Sequence, residues 1–176
     1  RAQPGRYNYA SAGNGTALQF SMEQLKQKAG IHVTHIPYRG GPLGMADVIA
    51  GQVDVMFIAV TPALPHVRDG RLVALASGGA ARHVLLPAVP TVAETYQGFQ
   101  AGTWFGLFAP VNTPQAVVDA LAAEADRVLA NPTARAELAA QGVQTTGYTQ
   151  TRFRNQVQAE SRRYALLAKQ VGIKDD

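Results

Sequence analysis

Residues 8–30, NYASAGNGTALQFSMEQLKQKAG, join a short apolar stretch to a turn with two glycines and then to a helix-forming run. Leu18, Met22, Leu25 and Ala29 recur at helical spacing, with Thr16 near the predicted start and Gly30 at the stop. A glycine turn between strand and helix leaves backbone N–H groups at the helix start, where an anion can sit. Three readings of the turn stay open: a nucleotide loop, a carboxylate cradle, or only a tight connection.

Working outward, residues 31–38, IHVTHIPY, are β-branched and read as a strand ending before Pro37. RGGPLGMADVIAG follows as a helix with Pro42 at its first position, Leu43, Ala46 and Ile49 on one side, and Gly51 as the stop. Residues 53–60, VDVMFIAV, are almost continuously apolar, as in a parallel strand buried on both faces. Thr61 and Pro62 open a short helix that Gly70 closes, and LVALAS (72–77) reads as another buried strand. Strand and helix thus alternate from 7 to 77, which predicts an α/β fold with a parallel, doubly wound sheet.

Residues 78–103 lose that alternation and read as a connection leaving the sheet. TWFGLFAP (103–110) is predicted as one more strand, with Trp104, Phe105 and Phe108 expected in a core. Three helices follow. The first opens at Thr113-Pro114 with Val118, Leu121, Ala125, Val128 and Leu129 inward; the second opens at Asn131-Pro132 and closes at Gly142. The third runs from about 150 to 171 with Phe153, Val157, Tyr164, Leu167 and Val171 as its stripe. The change of pattern predicts two parts, 1–103 as one lobe and 104–176 as an incomplete piece of another.

Composition narrows the function classes. Of 176 residues, 47% are hydrophobic and 16% charged, a globular balance. The net charge of +4 comes from scattered basic residues with no stripe for nucleic acid. Cysteine is absent, which excludes disulfides and thiolate metal sites, and His32, His35, His66 and His83 lack metal-ligand spacing. On its solvated helix, His66 is expected to face water. No apolar stretch is long enough to cross a bilayer, and RAQPGRYNYA has no apolar signal core. Without a start Met, the chain reads as a processed chain or an excised fragment.

The glycine turn lacks the marks of a nucleotide loop. Gly13 and Gly15 are followed by Leu18 where a dinucleotide fingerprint needs a third glycine, and no Lys follows them as in a phosphate-binding P-loop. Tyr38 and Arg39 stand where an acidic ribose ligand would be expected. A carboxylate cradle fits better: Gly13 and Gly15 admit close approach, Ser11 and Thr16 add hydroxyls, and the N–H groups from about 14 to 17 point out of the helix start. In a parallel sheet the loops 11–16, 38–42 and 58–62 all lie at the ligand-binding edge. Ser11 is in no nucleophile elbow, and Asp47 and Asp54 sit at element ends where carboxylates cap or solvate. With no catalytic constellation and no cofactor motif, the chain reads as a binder.

Several stretches together resemble the solute-binding receptors of tripartite tricarboxylate transporters, the Bug family. These are NYASAGNGT, HIPYRGGPLGMADVIAGQVDVMF, LPHVRDGRLVALA, LPAVPTVAE and WFGLFAPVNTP, in the family's order over most of residues 7–115. The resemblance implies a periplasmic-binding-protein-like (type II, Venus flytrap) fold, one complete parallel lobe and the C-terminal part of the other. It also implies a periplasmic location, a small carboxylate ligand and membrane permease subunits as partners, with no chemistry performed and no cofactor, metal or nucleic acid. The ligand-binding residues it implies are Ser11, Ala12, Gly13, Asn14, Gly15 and Thr16, with Gln19, Tyr38 and Ile58. Relatives often have His at position 19 and Asp at 58, so Gln19 and Ile58 depart from the family pattern. An α/β enzyme domain acting on an anionic metabolite, or a ligand-sensing regulatory domain, are the alternatives.

Overall fold

The computed structural model describes residues 3–145, 147 and 149–173. Three parallel strands, β1 (Asn8–Ser11), β2 (Thr34–Pro37) and β3 (Val55–Met56), form a sheet in the order β2-β1-β3. Each runs into a helix: α1 (Ala17–Ala29), α2 (Gly41–Ile49) and α3 (Val60–Arg68). Tyr9 pairs with His35 on one side and Val55 on the other, which makes β1 the central strand.

Successive side chains of β1 point to opposite faces, and both Tyr9 and Ala10 are fully buried. Tyr9 packs with Met22 and Val33, flanked by Leu25, Ile31, Val55 and Phe57. On the Ala10 side, Gly44 of α2 lies so close that a Cβ there would stand 3.0 Å from the Ala10 Cβ and 3.2 Å from Tyr38 Cδ2. This close approach selects the buried face of α2. Gly44 and Met45 are inside, whereas Leu43 and Ala46, predicted inward, are exposed.

Two predicted strands do not form, and two others are shorter: of residues 31–38 only Thr34–Pro37 is paired, and the strand includes Pro37 instead of ending before it. Only Val55–Met56 of the run 53–60 is paired, and Val60 is already helical. Of that run Val53 is buried and Val55 to Val60 are half-buried, rather than enclosed on both faces. LVALAS is not a strand: Val73 is 80% exposed, and its one ladder contact is a bridge from Ser77 to Thr91. TWFGLFAP is likewise irregular; Phe105 is 88% exposed, and Trp104 and Phe108 are exposed rather than core. A strand is a property of a pair, and apolar sequence without a neighbouring ladder cannot satisfy its backbone as β structure.

The segment 78–103 packs back instead of leaving. Val92, Phe99 and Ala101 form a second buried cluster with Leu25, Phe57 and Tyr96 against it. A 3₁₀ turn at Val92–Glu94 starts with a reciprocal cap in which Thr91 and Glu94 bind each other's backbone N–H. Arg82 clamps the Glu94 carboxylate with two hydrogen bonds of 2.9 and 2.7 Å.

The chain divides into two compact units, one ending at Thr103 and resuming at Arg163, the other running from Trp104 to Arg162. In the second, α4 (Gln115–Ala130) buries none of its residues, so Val118, Leu121, Ala125, Val128 and Leu129 are not enclosed as predicted. Asn131 caps α5 (Pro132–Ala140) by accepting from the Thr133 and Ala134 N–H groups. Trp104 and Phe108 pack on Phe153 at the start of α6 (Gln150–Val171), with ring centroids 5.2 and 5.6 Å away. The predicted stripe is the less exposed face of α6, and in the first unit its Tyr164 stacks on Phe20 at 4.8 Å while Leu167 is buried.

Candidate functional site

Parallel strands deliver their following turns to one edge, so the β1–α1, β2–α2 and β3–α3 turns meet there. A Cβ on Gly13 would come within 3.3 Å of the Tyr38 carbonyl oxygen, and one on Gly41 within 3.7 and 3.8 Å of Leu18 Cδ1 and Ile58 Cδ1. Residues from all three turns therefore touch. Helices α1, α2 and α3 begin here, none has a side-chain cap, and none has an acidic residue in its first turn. The positive ends of three helix dipoles are left uncompensated at one place.

Within the loop, Gly13 (φ 123°) and Gly15 (φ 70°) adopt conformations that L side chains rarely tolerate. Ser11 is fully buried, and its Oγ accepts from the Gly13 N–H (3.1 Å), donates to the Gly13 carbonyl (3.1 Å) and meets His35 Nε2 (2.6 Å). The Thr16 hydroxyl also donates to the Gly13 carbonyl (2.8 Å). Gln19 Oε1 accepts from the Gly15 N–H (2.8 Å), and Gln19 Nε2 lies 3.3 Å from His35 Nδ1. Ala12 is half-buried, and Asn14 and Gly15 are exposed.

This geometry corrects part of the sequence expectation. The Gly15 N–H turns to Gln19 instead of outward, and both hydroxyls turn to Gly13, because polar groups this close to a core need partners. Thr16 makes no side-chain cap on the first-turn amides of α1, which begin at Ala17 and carry the positive end of its dipole. Tyr38 reaches the site through its backbone: its N–H donates to the Ser11 carbonyl (3.1 Å). Its hydroxyl donates to Asp47 on α2 (2.6 Å), a bond that raises the Tyr38 pKa. Asp47 is thus a tether for Tyr38, and Asp54 accepts from the Asn8 N–H.

Sequence reasoning missed His35 and the charged group behind it. His35 stacks on Tyr9 at 4.8 Å, and burial lowers its pKa, with Glu23 raising it and Lys26 lowering it to a lesser degree. Glu23 Oε1 receives the Tyr9 hydroxyl and the Lys26 ammonium, each at 2.6 Å. Burial, and then Glu23, raise the Tyr9 pKa. The signal was present in α1: Gln19, Glu23 and Lys26 stand at i, i+4 and i+7, a polar line beside the apolar stripe. His66, expected to be solvated, has a buried Nδ1 without a hydrogen-bond partner. Among the described residues, no group of three or more His, Asp or Glu side chains is placed to hold a metal ion, and no helix is long and apolar enough to cross a membrane.

The family model described as the tripartite tricarboxylate transporter family receptor matches residues 1–173. The chain belongs to this family. A UPF0065 protein of Pseudomonas sp. strain P51 is 36% identical over 169 residues, 95% of this chain and 50% of that protein. The solved structure of Rhodopseudomonas palustris Rpa4515 with adipate superposes with a TM-score of 0.90 at 27% identity, covering 98% of this chain and 58% of that one. MatC (Rpa3494) from the same organism, with bound malate, gives a TM-score of 0.81 at 30% identity over 93% of this chain and 57% of that one. The periplasmic binding protein BugD gives 0.86 at 28% identity, covering 99% of this chain and 60% of BugD. The fold is therefore periplasmic-binding-protein-like, and the chain spans about half the length of curated relatives such as the Pseudomonas sp. strain P51 protein.

Proposed function

We propose that the chain is part of a periplasmic solute-binding receptor that captures a small carboxylate and hands it to the permease of a tripartite tricarboxylate transporter. The observation that carries this reading is the meeting of three uncapped helix N-termini, free of first-turn acids, around a turn built on Gly13 and Gly15. Such an edge favours an anion and supplies backbone donors to hold it. The carboxylates named with the Rpa4515 and MatC structures support the ligand class. In this reading Ser11 to Thr16, Gln19 and the Tyr38 backbone shape one lobe's half of a clamp, and solute is enclosed when a second lobe closes over it.

Ile58 and Leu18 flank Gly41, and neither side chain offers a hydrogen-bond acceptor. A buried ammonium without an acceptor costs at least about 2 kcal/mol, so plain dicarboxylates are favoured over amino acids. Calorimetry on a receptor of full family length that contains this chain tests both points with succinate, malate, adipate and aspartate. The expected result is dicarboxylate binding, with Ile58→Asp moving the preference towards aspartate. Failure to bind any of them refutes the carboxylate reading; tighter aspartate than succinate binding refutes the role of Ile58.

A further inference from the structure

The contacts around the glycine loop form a continuous relay through His35. Because the Gly15 N–H is a donor, the Gln19 amide must turn Oε1 to it and present its NH₂ to His35 Nδ1. Nδ1 then accepts, so the imidazole proton resides on Nε2 and points at Ser11 Oγ. Ser11 Oγ accepts that proton and the Gly13 N–H, and its own hydrogen goes to the Gly13 carbonyl. Every donor in this chain meets an acceptor only when the ring is neutral and in this one tautomer. A second proton on Nδ1 would face the Gln19 NH₂, and rotating that amide would set NH₂ against the Gly15 N–H.

We propose that neutral His35 is a positioning residue for the carboxylate loop, holding Gly13 through Ser11 and Gly15 through Gln19, and that protonating His35 releases the loop and weakens anion binding. This rests on the carboxylate reading of the site. Tyr9 from β1 stacks on the ring, and Glu23 and Lys26 from α1 are the charged groups facing it. Glu23 is engaged by both Lys26 and the Tyr9 hydroxyl, so it is not a free counter-ion for an imidazolium. Burial holds the ring's pKa below its ordinary value. The loop is therefore set at neutral pH and is released only as pH falls below the ordinary imidazole range. The direction is unusual for an anion site, since a cationic histidine touching the ligand would instead strengthen binding on acidification.

The test uses a receptor of full family length containing this chain, with malate and adipate as probes. His35→Phe keeps the stack on Tyr9 and removes both ring bonds. It is expected to weaken binding about tenfold at pH 7.5, equivalent to ~1.4 kcal/mol. It is also expected to abolish the further loss that the unmodified receptor shows as pH is lowered below the ordinary imidazole range. Nitrogen-15 NMR of the unmodified, ligand-free receptor is expected to show the Nε2–H tautomer, with the Gly13 and Gly15 amide shifts following the His35 titration. This second measurement needs neither a folded variant nor a bound ligand, so it still decides the relay if none of the carboxylates binds. An Nδ1–H tautomer, glycine amides indifferent to the titration, unchanged affinity in folded His35→Phe, or tighter binding on acidification would each overturn the proposal.

Discussion

Gly13→Ala and Gly15→Ala form a pair whose difference follows from the loop's geometry. Both glycines have positive φ, so an L side chain is strained at either position, by about 1–2 kcal/mol in the left-handed region that Gly15 occupies at 70°. Fewer unfolded conformations return about 0.4–1 kcal/mol to either variant. Gly15→Ala meets nothing within 4 Å, which leaves a net loss of about 1 kcal/mol. Gly13 at 123° lies farther from any region an alanine favours, at about 1–3 kcal/mol. Its Cβ would also stand 3.3 Å from the Tyr38 carbonyl, which belongs to the neighbouring β2–α2 turn. Moving that carbonyl strains the Tyr38 N–H bond to Ser11, so the net loss reaches about 2–3 kcal/mol. Urea unfolding of both variants measures the difference, and malate titration of the full-length receptor should rank them in the same order. Equal stabilities, or Gly15→Ala as the costlier change, would refute the claim that Gly13 sets the distance between the two turns.

Gly44→Val should destabilise the fold by about 2–3 kcal/mol, because even its Cβ would press on Ala10 and Tyr38; thermal unfolding checks this, and a neutral effect would mean that α2 can ride off the sheet freely. Glu94, held by Arg82 and the Thr91 backbone, should titrate near pH 2 by carbon-13 NMR. Since its folded pKa lies below the unfolded value, its contribution is complete above about pH 4.5 and is lost as pH falls through about 2; an ordinary carboxylate midpoint would show that the clasp is not formed. If the second lobe supplies half the contacts, the 176-residue chain alone should bind malate only in the millimolar range, about −4 kcal/mol, and submicromolar binding in calorimetry would show the site complete within it.

What the sequence alone determined is what depends on neighbours along the chain. Gly30 ends α1 because its left-handed cap is local, Asn131-Pro132 starts α5 for the same reason, and the apolar period of α6 marks its less exposed face. Alternation of short apolar runs with these helices required a parallel sheet, and hence one edge where the following turns meet. The glycine turn was legible as a tight strand-to-helix turn since positive φ and close approach both ask for glycine. Tertiary structure decided everything that depends on a distant partner. LVALAS and TWFGLFAP have strand composition, yet beyond the single Ser77–Thr91 bridge no ladder forms beside them among the described residues, and β structure has no meaning for a single run. Leu43 lost its predicted place to Gly44 because the sheet approaches α2 too closely for any side chain at the contact. His35 looked inert in sequence; only the pairing of β1 with β2, and the packing of α1 beside them, sets it between Ser11 and Gln19. A hydrogen bond selects on geometry at about 3 Å, and residues 16 and 24 positions apart acquire that geometry only when the chain is folded.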